Sequence, residues 1–298
     1  IDKTRFNEKI HAFLWRVLMI IDTHVHVYPP EIIRDWEKIA EKESYFGLLA
    51  SSKVHKWATI EDLIEQMDKD GIHRSWVFGF AFEDMGLCRI CNDYVIEGIT
   101  KYPDRLQGLA VVHPFGLGVT KEVERCKGSG MIGVGELFPL GQNFNVDDLR
   151  QTWRIAGLVD EMEMFLLLHS AEPVGHEYPG KGATGPKEAA GFCMNHPEVK
   201  VVFAHWGGGL WLYELMPEMR MYLRNAWYDT AATPWLYSQE VFHAARSAGV
   251  MDKILYGSDF PILSWKRYDT ILQQTGLDAL DTEKILAGNA LKLLDSRC

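Results

Sequence analysis

Five short patches of metal-binding residue types each stand where a predicted β-strand ends, and this pattern limits the fold more than any other feature. The first, Asp22-Thr23-His24-Val25-His26, follows the apolar run 17–21. Because strand side chains alternate between faces, His24 and His26 point the same way and can bind one ion together. The other four strand ends carry Glu136, His169, His205 and Asp259. Since parallel strands of a barrel end at the same face, the sequence predicts one polar, enzyme-like site there.

Apolar strand runs alternate with helical patterns eight times along the chain. This is the arrangement of an α/β protein with a (β/α)8 TIM barrel. About 250 residues over eight units is roughly 30 residues per unit, and the steps of 33 residues from Glu136 to His169 and 36 from His169 to His205 match one unit each. We therefore place the ligands on strands one, four, five, six and eight, with an extra segment, residues 29–59, after the first strand.

The bulk composition describes a globular protein with an acidic surface. The 298 residues include 31 basic and 41 acidic side chains, and the net charge of −10 argues against nucleic-acid binding or a polybasic membrane patch. The five cysteines show no framework spacing, so we expect reduced thiols and a cytoplasmic location. A single domain is expected over residues 19–298, with residues 1–18 set apart as an N-terminal extension that need not be native.

The ligand types predict a divalent metal. Imidazole and carboxylate suit zinc first, with manganese an open alternative, and one or two ions fit the number of ligands. A lone buried histidine is usually a core residue, but a pair at i and i+2 with further ligand types at other strand ends is not explained in that way. Asp22 shares the face of the histidine pair but lies deeper, so we expect a supporting role for it. The predicted metal ligands are His24, His26, Glu136, His169, His205 and Asp259.

Together these motifs resemble the amidohydrolase superfamily, and within it the amidohydrolase-related branch that includes aminocarboxymuconate semialdehyde decarboxylase and the resorcylate decarboxylases. The resemblance covers about residues 19–295. It rests on the D-x-H-x-H patch, Gly135-Glu136, His169, His205-Trp206-Gly207-Gly208 and Gly257-Ser258-Asp259-Phe260-Pro261. It implies a metal-dependent (β/α)8 barrel but does not name a substrate.

Glu136 departs from the decarboxylase pattern of that branch. Those decarboxylases usually hold one metal through the strand-one pair, the strand-five histidine and the strand-eight aspartate. The TatD-type nucleases of the superfamily instead carry a strand-four glutamate that bridges two metals, and Gly133-Val134-Gly135-Glu136 is similar to that arrangement. We therefore expect Glu136 to be a metal ligand, with an ion pair or a hydrogen bond at the barrel rim as the alternative.

Asp259 and His205 are the predicted catalytic residues. A carboxylate beside a metal-bound water can accept its proton and pass it on, so Asp259 is expected to be both ligand and proton shuttle. A helix N-cap role, which Pro261 favours, is compatible with this. His205 is expected to be a ligand if two ions bind and a general acid or base if one binds. The glycines 207–209 are attributed to close backbone approach in a tight turn, in preference to anion binding.

Candidate substrate contacts come mainly from the long loop 170–186, which follows a strand on the active-site side. The alternative is a solvated loop held by its glycines and prolines. The predicted contacts are Glu172, His176, Tyr178, Lys181 and Trp206.

The expected reaction is hydrolysis of an ester, lactone or amide of a small organic acid by a metal-activated water with a pKa near ~7. The alternative is non-oxidative decarboxylation of a small aromatic or unsaturated carboxylic acid, which uses the same scaffold with one metal. The complete ligand set disfavours a catalytically silent metal-binding protein. The expected partner is a small-molecule substrate, with no nucleic acid and no membrane, and a homodimer is left open.

Overall fold

The computed structural model describes residues 19–295, so the predicted extension 1–18 lies outside the described residues. Eight parallel strands form one sheet in the chain order β1 to β8, with helical segments between them. The predicted (β/α)8 barrel is therefore confirmed. The strands are β1 (Ile21–His26), β2 (Arg74–Phe78), β3 (Leu106–Ala110), β4 (Gly133–Leu137), β5 (Phe165–Leu168), β6 (Val201–Phe203), β7 (Ala226–Asp229) and β8 (Ile254–Leu255).

Helices surround this sheet, and those with an apolar stripe pack it against the strands. The helix α4 shows how the sequence sets such an element: Thr59 and Asp62 form a capping box at its start, and Gly71 ends it in a left-handed conformation. The α-helices are α1 (Pro30–Arg34), α2 (Trp36–Ala40), α3 (Ser44–Ala50), α4 (Ile60–Asp70), α5 (Met85–Lys101), α6 (Val119–Gly128), α7 (Leu149–Glu161), α8 (Pro186–Asn195), α9 (Pro217–Tyr222), α10 (Thr233–Leu236), α11 (Glu240–Ser247), α12 (Trp265–Thr275), α13 (Ala279–Glu283) and α14 (Asn289–Asp295). Within residues 19–295, no helix is both long enough and apolar enough to span a bilayer.

The barrel closes between β8 and β1 through single hydrogen bonds beyond the end of β8. The backbone of Thr23 donates to the carbonyl of Tyr256 at 2.8 Å, Asp259 donates to His24 at 3.0 Å, and His26 donates to Phe260 at 2.8 Å. Strand eight itself is only two residues long. The chain nevertheless stays beside β1 as far as residue 260, so Asp259 reaches the same end of the barrel as the histidine pair.

The barrel interior is filled with apolar side chains below the predicted site. Trp76 on β2 and Phe165 on β5 come from strands that are not neighbours in the sheet and contact each other, with ring centroids 4.9 Å apart. Both side chains are fully buried. This layer is a packed core, so the polar site occupies only the carboxyl end of the strands.

The segment after β6 is not a regular α-helix. Residues His205–Leu215 form a 3-10 segment interrupted by left-handed backbone at 206–209, and α9 begins only at Pro217. A Cβ on Gly208, whose φ is +58°, would lie 2.3 Å from the carbonyl oxygen of Ala171. The predicted close backbone approach is confirmed, and it joins the loops that follow β5 and β6.

Candidate active site

Glu136 lies at the centre of the site, surrounded by four histidines. Its Oε2 is 3.4 Å from Nε2 of both His24 and His26, and its Oε1 is 2.9 Å from Nδ1 of His169 and 3.7 Å from Nε2 of His205. The Glu136 side chain is only 1% exposed. A buried carboxylate requires positive charge nearby, which in this site comes from protonated imidazole or from a metal ion.

Asp259 faces the same point from the opposite side. Its Oδ1 lies 3.7 Å from Nε2 of both His24 and His26. The backbone of Asp259 has a φ of +67° and that of His205 a φ of +55°, a left-handed region that residues other than glycine rarely occupy. Backbone strain of this kind persists where the surrounding structure fixes a residue, and it is common at active sites.

Asp229, at the end of β7, fixes the orientation of His24. Its Oδ2 lies 2.9 Å from Nδ1 of His24, and its Oδ1 accepts hydrogen bonds from the backbone of His205 at 2.9 Å and Ala231 at 3.0 Å. A carboxylate only accepts, so Nδ1 of His24 carries the proton and Nε2 presents a lone pair to the site. No local sequence pattern indicates this role of Asp229, because its partner His24 is 205 positions away along the chain.

The charges of the cluster favour a cation between the histidines and the carboxylates. Burial opposes the charged form of His24, yet Glu136 and Asp229 together raise the pKa of this imidazole well above its usual value. Burial likewise opposes the charge of Glu136, yet His24 and His169 hold its pKa well below the usual range. Both shifts mean that the site favours a cation at one point, and a metal ion supplies such a charge without protonating a ligand.

The donor set fits a divalent metal. Within residues 19–295, two groups of three side chains bring one ligand atom each to within 4.8 Å of one another: His24, His26 and Asp259, and His24, Glu136 and His205. Ligands about 2.0–2.2 Å from one ion stand roughly 3–3.5 Å apart, close to the spacings observed here. Nε2 of His24 is also buried without a hydrogen-bond partner, as expected for an atom whose partner is a metal.

His169 belongs to neither of these groups. Its Nδ1 faces Glu136, and its Nε2 lies 3.3 Å from the backbone carbonyl oxygen of Lys181. As a metal ligand it would have to use Nδ1, beside Glu136, so its ligation stays a prediction.

Asp22 occupies the supporting position expected from its depth. Its Oδ1 accepts hydrogen bonds from the backbone of Ser258 at 2.9 Å and of His24 at 3.3 Å. Burial raises the pKa of Asp22 to about 7. This carboxyl therefore ties β1 to the segment that carries Asp259 and does not face the histidine cluster.

A cavity of about 350 Å³ lies above the cluster, which forms its floor. Its walls are mainly aromatic and aliphatic and come from the segments between strands. Phe80 and Phe138 stack at a centroid distance of 4.8 Å, and Phe138 also packs against His169 at 5.4 Å. A cavity of this size and character suits a small planar ligand whose polar group reaches the floor. Its main wall residues are Tyr28, Leu49, Val54, His55, Phe80, Phe138, Tyr178, Trp235, Leu236 and Ile262.

Two of the five predicted substrate contacts line the cavity, and the other three do not. His176 and Tyr178 line the cavity, whereas Glu172, Lys181 and Trp206 are outside its lining. Glu172 contacts the phenols of Tyr178 and Tyr237, and Lys181 donates to the carbonyl of His176 and to Glu177. The indole of Trp206 is buried and donates to Thr233 at 2.8 Å. These three residues hold neighbouring loops, and their contact with a substrate stays a prediction.

Other wall residues were missed by sequence reasoning. Tyr28 and His55 belong to the end of β1 and the segment 29–59, whose short helices have little periodicity. The position of the segment could have indicated these residues, because it follows a barrel strand on the active-site side and contains several aromatic residues.

An eight-stranded barrel with imidazole and carboxylate ligands at the carboxyl end of its strands, below a ligand-sized cavity, defines a metal-binding barrel enzyme. The particular family is the amidohydrolase family. Its Amidohydro_2 family model, described as amidohydrolase, matches residues 21–295, so the chain belongs to it.

Characterised relatives share this architecture. A gamma-resorcylate decarboxylase from Polaromonas sp. strain JS666 is 25% identical over 255 residues, which is 69% of this chain and 75% of the relative. The crystal structure of 5-carboxyvanillate decarboxylase from Sphingomonas paucimobilis has a TM-score of 0.74 at 14% identity and covers 94% of this chain and 100% of that chain. A dihydroxybenzoic acid decarboxylase from Polaromonas sp. JS666, solved with bound manganese and the inhibitor 2-nitroresorcinol, has a TM-score of 0.70 at 18% identity, covering 93% and 97%.

These relatives correct the expected reaction. Hydrolysis of an ester, lactone or amide was the main prediction and is wrong, because the relatives above are decarboxylases. Their names match the alternative of a carboxy-lyase. Sequence pattern could not separate the two, since both reactions use the same strand-end ligands. Zinc also finds no specific support, because the metal reported with the dihydroxybenzoic acid decarboxylase is manganese.

Proposed function

We propose that this enzyme is a metal-dependent, non-oxidative decarboxylase of a small hydroxylated aromatic acid. The observation that carries the proposal is the placement of a histidine–carboxylate cluster at the floor of an aromatic-walled cavity of about 350 Å³. The decarboxylase relatives support the same reaction.

We propose that His24, His26 and Asp259 hold the divalent ion, with Glu136 and His169 beside them as further ligands. Manganese is the favoured ion because a relative contains it, with zinc as the alternative. When bound, such an ion supplies positive charge that attracts and orients the anionic oxygens of the substrate. The Nδ1 contact of His24 with Asp229 keeps its Nε2 lone pair directed at the ion.

Asp259 is proposed as the proton donor. Decarboxylation of an aromatic acid needs a proton at the ring carbon that bears the carboxylate. The bond to the carboxylate carbon then breaks, its electron pair restores the ring, and CO2 leaves. Asp259 stands beside the histidine pair and lines the cavity, so its carboxyl group can reach a ring seated above the floor. His205, held through Nδ1 by the carbonyl of Ala231 at 3.1 Å, presents Nε2 on the other side as a second acid–base group.

The cavity walls would hold the aromatic ring. Phe80 and Phe138 offer stacked faces next to His169, and their burial excludes water from the reacting ring. Exclusion of water also strengthens the attraction between the substrate anion and the charges of the floor.

The proposal is tested with manganese-loaded protein and 2,6-dihydroxybenzoate in D2O. We expect CO2 release and 1,3-dihydroxybenzene carrying one deuterium at the carbon that lost the carboxylate. Asp259→Asn, reconstituted with the same metal, should release CO2 far more slowly. Absence of CO2 from a panel of hydroxybenzoates, with metal content verified, would rule the proposal out.

A further inference from the structure

The cavity has an uneven distribution of charge. Among the described residues 19–295, its lining contains no lysine and no arginine. Its floor holds Glu136 and Asp259, and Asp229 stands directly behind His24. Because no lysine or arginine of the described chain lines the walls, the positive charge that a ligand anion can meet is that of the proposed metal ion at the floor.

Two lysines next to the cavity are turned to other partners. Lys181 is 7% exposed, and its Nζ donates to the carbonyl of His176 at 3.2 Å and to Glu177 at 3.1 Å. Lys56 is exposed, and its Nζ donates to the carbonyl of Ile262 at 3.1 Å. Neither lysine lines the cavity, and nor does Lys53, which is exposed between the lining residues Ser52 and Val54. None of the three therefore offers a buried partner to a second anionic group of a ligand.

Within the residues that the structure describes, the wall away from the floor has no lysine or arginine, and its two imidazoles belong to His55 and His176. His176 is exposed to water beside Tyr178, with the ring centroids 5.6 Å apart, so it is not a buried partner for an anion. The ring of His55 packs on Tyr28 and Trp57 at centroid distances of 5.6 and 4.2 Å. Burial, together with the nearby His26, lowers the pKa of His55 to about 4, so this imidazole is uncharged at neutral pH. A neutral imidazole can bond a hydroxyl or ether oxygen but gives no ion pair to a carboxylate.

We infer that the substrate carries a single carboxylate, the one that the floor binds and removes, and that its other ring substituents are uncharged. This inference rests on the proposed function and narrows its substrate class. The relatives include decarboxylases of both kinds, since dihydroxybenzoate has one carboxylate and 5-carboxyvanillate has two. A second carboxylate in this cavity would lose its hydration without gaining a cation.

A matched pair of ligands tests the inference. The acids 2-hydroxy-3-methoxybenzoate and 5-carboxyvanillate differ only in the second carboxylate, and their binding to manganese-loaded protein can be measured by calorimetry. We expect the monocarboxylate to bind at least about tenfold more tightly. Equal affinities, tighter binding of 5-carboxyvanillate, or no binding of either acid would overturn the inference. Recording CO2 in the same samples tests the proposed reaction separately, since binding does not require turnover.

A variant that adds a positive charge to the cavity wall tests whether the lack of a wall cation causes the weaker binding of the dicarboxylate. Val54 lines the cavity and is 51% exposed, so an arginine there can be accommodated at the rim. Val54→Arg should raise the affinity for 5-carboxyvanillate several-fold and leave that for 2-hydroxy-3-methoxybenzoate nearly unchanged, whereas Val54→Gln, a neutral control, should change neither. If Val54→Arg does not reduce the difference in affinity between the two acids, the absence of a wall cation does not cause that difference.

Discussion

Nδ1 of His24 lies 2.9 Å from Oδ2 of Asp229, and the other oxygen of the same carboxylate accepts two backbone N–H groups. Asp229 thus sets the ring orientation and tautomer of a proposed metal ligand without facing the ion itself. Ligand histidines are usually oriented by such a partner.

Asp229→Asn should therefore weaken metal binding although it preserves size. The amide oxygen would take the place that accepts from His205 and Ala231, which turns the NH2 group towards His24. Nδ1 of His24 must then accept, so the proton moves to Nε2, the atom that should bind the metal. We expect metal affinity to fall about 10–100-fold, measured by titration of the metal-free protein. Asp269→Asn on α12, where the carboxylate accepts a hydrogen bond from Gln273, is the control and should bind metal normally.

The number of ions is a second prediction. Glu136 contacts all four histidines, and a bridging role would require two ions about 3.5–4 Å apart. Because the relatives favour decarboxylation, we expect one divalent ion per chain in elemental analysis of the purified protein. Glu136→Gln should lower occupancy, since it removes charge beside His24 and His26, while the exposed Glu161→Gln should not. Two tightly bound ions per chain would restore the bridging arrangement.

Asp259 and His205 should affect the chemical step more than substrate binding. Positioned proton transfer contributes typically about 10²–10⁴-fold to rate, so Asp259→Asn and His205→Ala are each expected to lower kcat within that range and change KM less. Metal content must be measured with each rate, because Asp259 is also a proposed ligand. His243→Ala, on the exposed face of α11, serves as the control. Near-normal turnover of metal-loaded Asp259→Asn would remove Asp259 from the mechanism.

A buried ion pair behind β7 should contribute to stability. Lys253 donates to both oxygens of Glu214 at 3.0 and 2.9 Å, and Tyr228 donates to Glu214 at 2.8 Å. Lys253→Met leaves the Glu214 charge buried without its cation, and removal of one partner of such a pair costs about 3–5 kcal/mol in free energy of unfolding. Chemical denaturation should show this loss, and Glu214→Gln combined with Lys253→Met should recover part of it. Lys69→Met, which breaks the exposed pair with Glu65, should have no measurable effect.

The barrel and much of its floor could be predicted because their signals are local. Alternation along a strand places His24 and His26 on one face, and repeated unit lengths place Glu136, His169 and His205 at successive strand ends. The role of Asp229 could not be predicted, since its partner His24 is 205 positions away in the sequence and comes close only in the folded barrel. The wall residues Tyr28 and His55 come from a segment without strong periodicity.

The reaction itself was also beyond the sequence pattern. Hydrolysis and decarboxylation both need a cation that holds an anionic oxygen and a carboxylate that moves a proton, so Asp259 and the histidines fit either. The distinction depends on which substrate the cavity accepts, and the walls of that cavity come from segments between strands.

The two halves of the site are built from different parts of the chain. The ligands at the floor stand at the ends of strands whose backbone hydrogen bonds are shared around the whole barrel. The walls come from residues 29–59 and from the segments after β2, β4, β5, β7 and β8. A descendant of this protein could therefore exchange the segment 29–59 and accept a new acid while keeping its reaction. In such a scaffold, a new substrate is accommodated by changing the segments between strands, while the residues at the strand ends keep the same reaction.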